Sequence, residues 1–163
     1  MITLVLGGAR SGKSRVAEQL VLRLPPPVAY LATAVVADKD HAARVAVHRA
    51  RRDPAWATIE TGAGLVAALG TVTGSVLIDS LGTWVAAHDD FAVDVPSLVA
   101  ALTEREGNTV VVSEEVGLGV HPSSEAGRRF RDALGIVNAE VAAVCDDVVL
   151  VVAGRMLPLG RTE

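Results

Sequence analysis

This chain is poor in cysteine, lysine and aromatic residues, and each shortage excludes something. A single cysteine, Cys145, rules out an internal disulfide and fits a reducing compartment. It reads as a small buried residue rather than as a nucleophile. Aromatic residues make up 3% of a sequence that is 50% apolar, so the core must be built from Val, Ala and Leu. No apolar stretch reaches the roughly 18 residues that crossing a bilayer requires. The N-terminus reads as a strand leading into a functional loop, which leaves no room for a cleavable signal and makes the cytoplasm the expected compartment. A net charge of −4 argues against nucleic-acid binding through a basic surface. Lysine occurs only at Lys13 and Lys39. At 163 residues, with no internal repeat, low-complexity tract or linker, residues 1–163 are expected to form one domain.

Against that background, residues Gly7, Gly8, Ala9, Arg10, Ser11, Gly12, Lys13 and Ser14 stand out as a phosphate-binding loop directly after the apolar run 1–6. Glycines at 7 and 12 let the chain wrap so that successive N–H groups face a di- or triphosphate. Lys13 adds a point charge for the β- and γ-phosphates, and the Ser14 hydroxyl is placed to ligate Mg²⁺. The flanks agree. Val16, Ala17, Leu20, Val21 and Leu24 recur at helical spacing over 14–24, and Pro25-Pro26-Pro27 stops the helix. Its positive end would face the same anion. The chain is therefore expected to bind a nucleotide.

Further apolar, β-branched runs lie at 28–32, 75–78, 109–112 and 148–152, as in strands of a parallel sheet covered on both faces. Helical patterns fall at about 39–52, 62–69, 94–105 and 123–145. The last carries the stripe Phe130, Leu134, Val137, Val141 and Val144, with Pro122-Ser123-Ser124 as its start. Alternating strands and helices predict a doubly wound α/β domain, whose ligands sit beyond the carboxyl ends of the strands.

Several chemical groups fall at those ends. Asp79 closes the run 75–79 and reads either as the second Mg²⁺ partner or as the cap of a helix starting at Ser80-Leu81. Glu114 and Glu115 follow the next strand. They could orient Mg²⁺, accept a proton from an attacking hydroxyl, or form a solvated acidic turn. On a helix, His41, Arg44, His48, Arg51 and Arg52 fall within an arc of roughly 100°. Such a face can bind phosphates through forked arginine donors, and a neutral His48 can attack phosphorus. The alternative is a solvated basic helix face. Glu60 reads as an exposed strand end or as an acceptor for the N1–H and N2 donors of guanine. Trp56 could pack the helix end.

Taken together, these residues resemble the bifunctional adenosylcobinamide kinase / adenosylcobinamide-phosphate guanylyltransferase family. The likeness covers nearly the whole chain: Gly7–Ser14, Tyr30-Leu31-Ala32-Thr33-Ala34, Arg44–Arg52 with Trp56, Thr58 and Glu60, and Val76–Leu81 with Trp84. It continues through Ser113–Gly119, Phe130-Arg131-Asp132 with Gly135 and Asn138, and Ala153-Gly154. The resemblance implies a P-loop NTPase domain with a mainly parallel, RecA-like sheet and helices on both faces. It implies phosphorylation of adenosylcobinamide by ATP or GTP, then transfer of GMP from GTP through a guanylyl-histidine to adenosylcobinamide phosphate, giving adenosylcobinamide-GDP. On that basis His48 and Lys13 are the catalytic residues and Mg²⁺ is held by Ser14 and Asp79. The nucleotide is held by Gly7–Ser14, Ala32, Thr33, Ala34, Arg49, Ala50, Arg51, Arg52, Glu60 and Asp79. The resemblance also implies a homotrimer; the charge and the short apolar runs lead one to expect no nucleic-acid partner and no membrane span.

The chain departs from that pattern at Ser80-Leu81-Gly82-Thr83-Trp84, in a short stretch from His88 to Glu106, and at Val47. Two other readings of the residues stand beside it. One is a small-molecule kinase using the phosphate loop alone, which would leave the His48 face without a role. The other is a GTP-dependent switch, although the Asn-Lys-x-Asp motif by which such proteins read guanine is absent.

Overall fold

The computed structural model describes residues 1–34 and 53–161. Strand β1 (Ile2–Gly7) leads through the glycine-rich loop into helix α1 (Lys13–Val21), followed by β2 (Val28–Ala32). Beyond residue 52 come β3 (Ala57–Glu60), α2 (Leu65–Leu69), β4 (Ser75–Asp79), α3 (Leu81–Ala86) and α4 (Val95–Glu104). The chain closes with β5 (Thr109–Glu114), α5 (Glu125–Val144), β6 (Asp147–Val152) and β7 (Arg155–Pro158). Among the described residues these strands form one sheet in the order β3-β2-β4-β5-β1-β6-β7. Every pairing is parallel except β6 with β7.

The two-residue alternation of strand side chains sorts the apolar runs into two cores. Leu4, Leu6, Ala29, Leu31, Val76, Ile78 and Val111 point to one face, where α2, α3, α4 and α5 bury Leu65, Leu69, Leu81, Trp84, Leu98, Leu102, Leu134, Val137 and Val141. Val5, Val28, Tyr30, Leu77, Val110 and Val112 point to the other, against Val16, Ala17 and Val21 of α1. The same parity carries Asp79 and Glu114 to the α1 face, since 77 and 79, and likewise 112 and 114, share a side.

Among the described residues the expected strands and helices are present, with instructive differences. Helix α1 ends at Val21, and its last carbonyls take tightened bonds from Arg23 and Leu24 before the proline run. The stretch expected to be helical from 62 begins as a 3₁₀ turn, Gly62–Gly64, and becomes α-helical only at Leu65. Helix α5 starts where Ser124 accepts a bond from the Gly127 N–H. Strand β7 was outside the predicted pattern; all four of its residues are exposed, so no burial signal marks it. Its turn is Ala153-Gly154, both at positive φ (50° and 75°), the backbone of a tight hairpin. The helix expected at 39–52 lies outside the described residues.

Candidate active site

Where β1 passes into the loop, the packing leaves no room for a side chain at Gly7. A Cβ on Gly7 would overlap the Ser11 side chain and come within 2.8 Å of the Val151 carbonyl. Arg10 and Gly12 adopt positive φ (57° and 95°), the left-handed steps from which anion-binding nests are built. The β6–β7 hairpin braces the loop from outside: the Gly154 N–H donates to the Ser11 carbonyl at 2.8 Å, and a Cβ on Gly12 would touch Gly154. The Ser11 hydroxyl accepts from the Lys13 N–H, and α1 begins there.

The Lys13 side chain is 12% exposed, and its ammonium lies 3.4 Å from the Gly8 carbonyl and 3.5 Å from Glu114 Oε1. Ser14 Oγ lies 3.5 Å from Asp79 Oδ1, while the other carboxylate oxygen of Asp79 accepts a 2.6 Å bond from the buried Tyr30 hydroxyl. Tyr30 thereby fixes the rotation of Asp79 and leaves Oδ1 turned toward Ser14. Two oxygen donors so placed suit Mg²⁺, a hard cation that uses one or two protein oxygens with water and phosphate for the rest. Among the described residues no group of three or more His, Cys, Asp and Glu side chains forms a self-sufficient metal cage.

Glu114 and its neighbour diverge. Glu114 turns inward, where Ser80 Oγ donates across both its oxygens at 3.0 and 2.9 Å and the Gly82 N–H donates to Oε2 at 3.0 Å. Glu115 lies past the strand and accepts from the Gly117 N–H. Glu114 is the last residue of β5, and Glu115 is the first beyond it. Behind Glu114, Asn138 of α5 donates to its main-chain carbonyl and accepts from Ser113, locking the strand end. Ser80, Gly82, Tyr30 and Asn138 had no functional role in the sequence reading. Their signals are long-range contacts, invisible to a local pattern.

At the outer strands, Thr33 is fully buried. Its hydroxyl accepts from the Ser80 N–H at 2.8 Å and approaches both the Ser80 carbonyl and Thr83 Oγ1 at 2.6 Å. Ala32 stands beside Asp79 on one side and Glu60 on the other. Glu60 is exposed on edge strand β3, four strand spacings or roughly 19 Å from β1, so the structure does not bring it to the phosphate loop. Trp56 packs partly buried against the α1-side core. The predicted residues His48, Arg49, Ala50, Arg51 and Arg52 lie outside the described residues. Cys145 is buried, and burial with the neighbouring Asp146 charge pushes its thiol up to about 12, consistent with a packing role.

Two solved structures are similar in fold. An ATPase from the type III secretion system of pathogenic bacteria superposes with a TM-score of 0.58 at 11% identity, covering 91% of this chain and 51% of that one. Flagellar accessory protein FlaH from Methanocaldococcus jannaschii gives 0.52 at 13% identity, covering 95% and 74%. The fold is that of a P-loop NTPase. Sequence relatives reach further. The chain is 39% identical to the bifunctional adenosylcobalamin biosynthesis protein CobP of Pseudomonas aeruginosa, over 98% of this chain and 97% of that protein. It is 35% and 36% identical to the bifunctional adenosylcobalamin biosynthesis proteins CobU of Escherichia coli and Salmonella typhimurium, over 94% of this chain and 97% of each. With residues 3–159 matched by its family description, the chain belongs to the cobinamide kinase / cobinamide phosphate guanyltransferase family.

Proposed function

We propose that this protein is a two-step transferase of cobalamin biosynthesis, acting in the cytoplasm as a single-domain chain in a homotrimer. The family match over residues 3–159 carries that reading. In the first step the aminopropanol hydroxyl of adenosylcobinamide attacks the γ-phosphorus of ATP or GTP. The new P–O bond forms as the bond to the departing nucleoside diphosphate breaks, and the hydroxyl proton passes to solvent water. The loop Gly7–Ser14 cradles the phosphates, and Lys13 offsets the charge that develops on the transferred group. Ser14 and Asp79 would hold Mg²⁺, which supplies further charge neutralisation when bound. Tyr30 holds Asp79 in register for that task.

In the second step a ring nitrogen of His48 attacks the α-phosphorus of GTP. A P–N bond forms as the P–O bond to pyrophosphate breaks. The phosphate of adenosylcobinamide phosphate then attacks the same phosphorus, the P–N bond breaks, and adenosylcobinamide-GDP leaves with the histidine restored. Arg49, Arg51 and Arg52 offer forked donors to the nucleotide alongside Ala50, Ala32, Thr33 and Ala34, and Glu60 accepts from the guanine edge.

Two measurements test this. Adenosylcobinamide and its phosphate are assayed separately, each with ATP and with GTP; conversion of neither overturns the reading. Incubation with α-labelled GTP should give an acid-labile, alkali-stable protein adduct. Equal labelling of a His48→Ala protein would remove the histidine from the scheme.

A further inference from the structure

The phosphate-loop lysine is held by a carboxylate that is itself immobilised. Ser80 caps α3 by accepting from the Thr83 N–H at 3.4 Å, so its single hydroxyl proton is free to point at Glu114, where it is shared between both oxygens. The Gly82 N–H adds a third bond, and that approach depends on glycine. A Cβ at position 82 would overlap Oε2 and sit 2.9 Å from Glu114 Cδ. The strand end is fixed in turn by Asn138 on the Glu114 carbonyl and by the Glu115 N–H on the Gly7 carbonyl. Glu114 therefore has little freedom to follow Lys13 or to swing away from it.

We infer that Glu114 is a positioning residue for phosphoryl and nucleotidyl transfer: a fixed counter-ion that holds Lys13 and competes for it with the nucleotide phosphates. The inference rests on the nucleotide-site reading above. A lysine only 12% exposed needs an anionic partner when no phosphate is present, and Glu114 at 3.5 Å supplies one. When a triphosphate arrives, its oxygens take the ammonium, and the carboxylate stays behind because Ser80 and Gly82 hold it. A negative group left beside the phosphates weakens ground-state binding. It also assists departure of the nucleoside diphosphate after one step and of pyrophosphate after the other. Lys13 also has the Gly8 carbonyl at 3.4 Å, so on this reading removal of the carboxylate takes away a competitor more than a support.

The sign of the effect is the test. Glu114→Gln keeps the size of the side chain and an acceptor for Ser80 or Gly82 while deleting the charge. Binding of GTP, GDP, GMP and pyrophosphate is measured calorimetrically with Mg²⁺. GTP and pyrophosphate should bind about tenfold more tightly to Glu114→Gln, with GMP within about twofold because its phosphate does not reach Lys13. In the assays, KM for GTP and kcat should fall together, and inhibition by pyrophosphate should strengthen. Ser80→Ala removes the hydroxyl that spans both carboxylate oxygens. It should shift GTP affinity in the same direction by about threefold, which keeps the test open if the glutamine variant does not fold. Unchanged or weaker GTP binding in Glu114→Gln, or an equal change for GMP, overturns the inference. Lys13→Ala separates the two levels. If it binds GTP like the parent, the nucleotide-site reading itself fails. If it loses GTP while Glu114→Gln gains nothing, only the role of Glu114 fails. With two lysines in the chain, ε-¹³C-lysine NMR gives a direct view. The signal missing from Lys13→Ala should move on addition of Mg·GTP, and should already be displaced in nucleotide-free Glu114→Gln.

Discussion

The two ends of this sheet are both polar, yet they are wired differently. At the amino ends, Arg105 donates to the carbonyls of Gly74 and Asn108 and to Thr109, and Ser75 donates to the Pro25 carbonyl. Most of these bonds finish on main chain, which cannot leave. At the carboxyl ends, Lys13 meets Glu114, Ser14 meets Asp79, and Tyr30 meets Asp79, side chain to side chain. A side-chain partner can be exchanged for a ligand, whereas a backbone carbonyl within a strand connection cannot. Polarity alone therefore does not mark the site; exchangeability does.

That contrast can be broken or sharpened by substitution. The largest effect is expected from Lys13→Ala, which should lower kcat/KM of both transfers by at least about a hundredfold while leaving Tm nearly unchanged, because the lost interaction is made with the transferring phosphates. A drop in Tm matching that of a core variant would instead make Lys13 a structural group. Gly82→Ala comes next. Its Cβ meets the Glu114 carboxylate, so a loss of about 1–3 kcal/mol in urea unfolding is expected, with GTP affinity shifted in the direction of Glu114→Gln.

At the opposite end, Arg105→Ala should cost about 1–3 kcal/mol of stability through lost charge-assisted bonds, with kcat/KM unaltered per folded molecule. Altered turnover there would dissolve the distinction between the two ends. Cys145 should give the smallest effect at neutral pH and a visible one only in alkali. Its folded-state pKa is raised to about 12 against an ordinary 9.0, so the folded state holds the proton over that window. Stability should consequently fall as pH rises above about 9, and Cys145→Ala should flatten that slope. The thiol should also resist alkylation near pH 8 until the protein is unfolded.

The inner part of the fold was legible because both its signals are local. A buried parallel strand reads as a continuous apolar run, and the glycine-rich loop follows the first of them. Edge strands were not: all four residues of β7 are exposed, and β3 is short and largely exposed, so neither carries a burial pattern. Asp79 was recognised as a strand-end carboxylate, and its contact with Ser14 supports that placement without testing its role. The pair at 114 and 115 was left open, although counting by twos from Val110 and Val112, which face α1, separates them. Ser80 reads from sequence as a helix start and as part of the family likeness, and Gly82 only as a departure from the family pattern; neither reading gives them a partner. Their partner lies more than thirty residues away, and only the tertiary structure explains why a small hydroxyl and a glycine stand there.

The hairpin brace has a consequence for how this protein comes into being. The signature of the site is complete by residue 14, but the Ser11 carbonyl finds its partner only when Gly154 has been made. Strand β1 likewise finds neighbours only in β5 and β6. On the ribosome, the loop at 7–14 emerges well before the hairpin that braces it, and must wait for that hairpin before it acquires its shape. A nascent chain shortened before the hairpin would carry an intact motif without its brace.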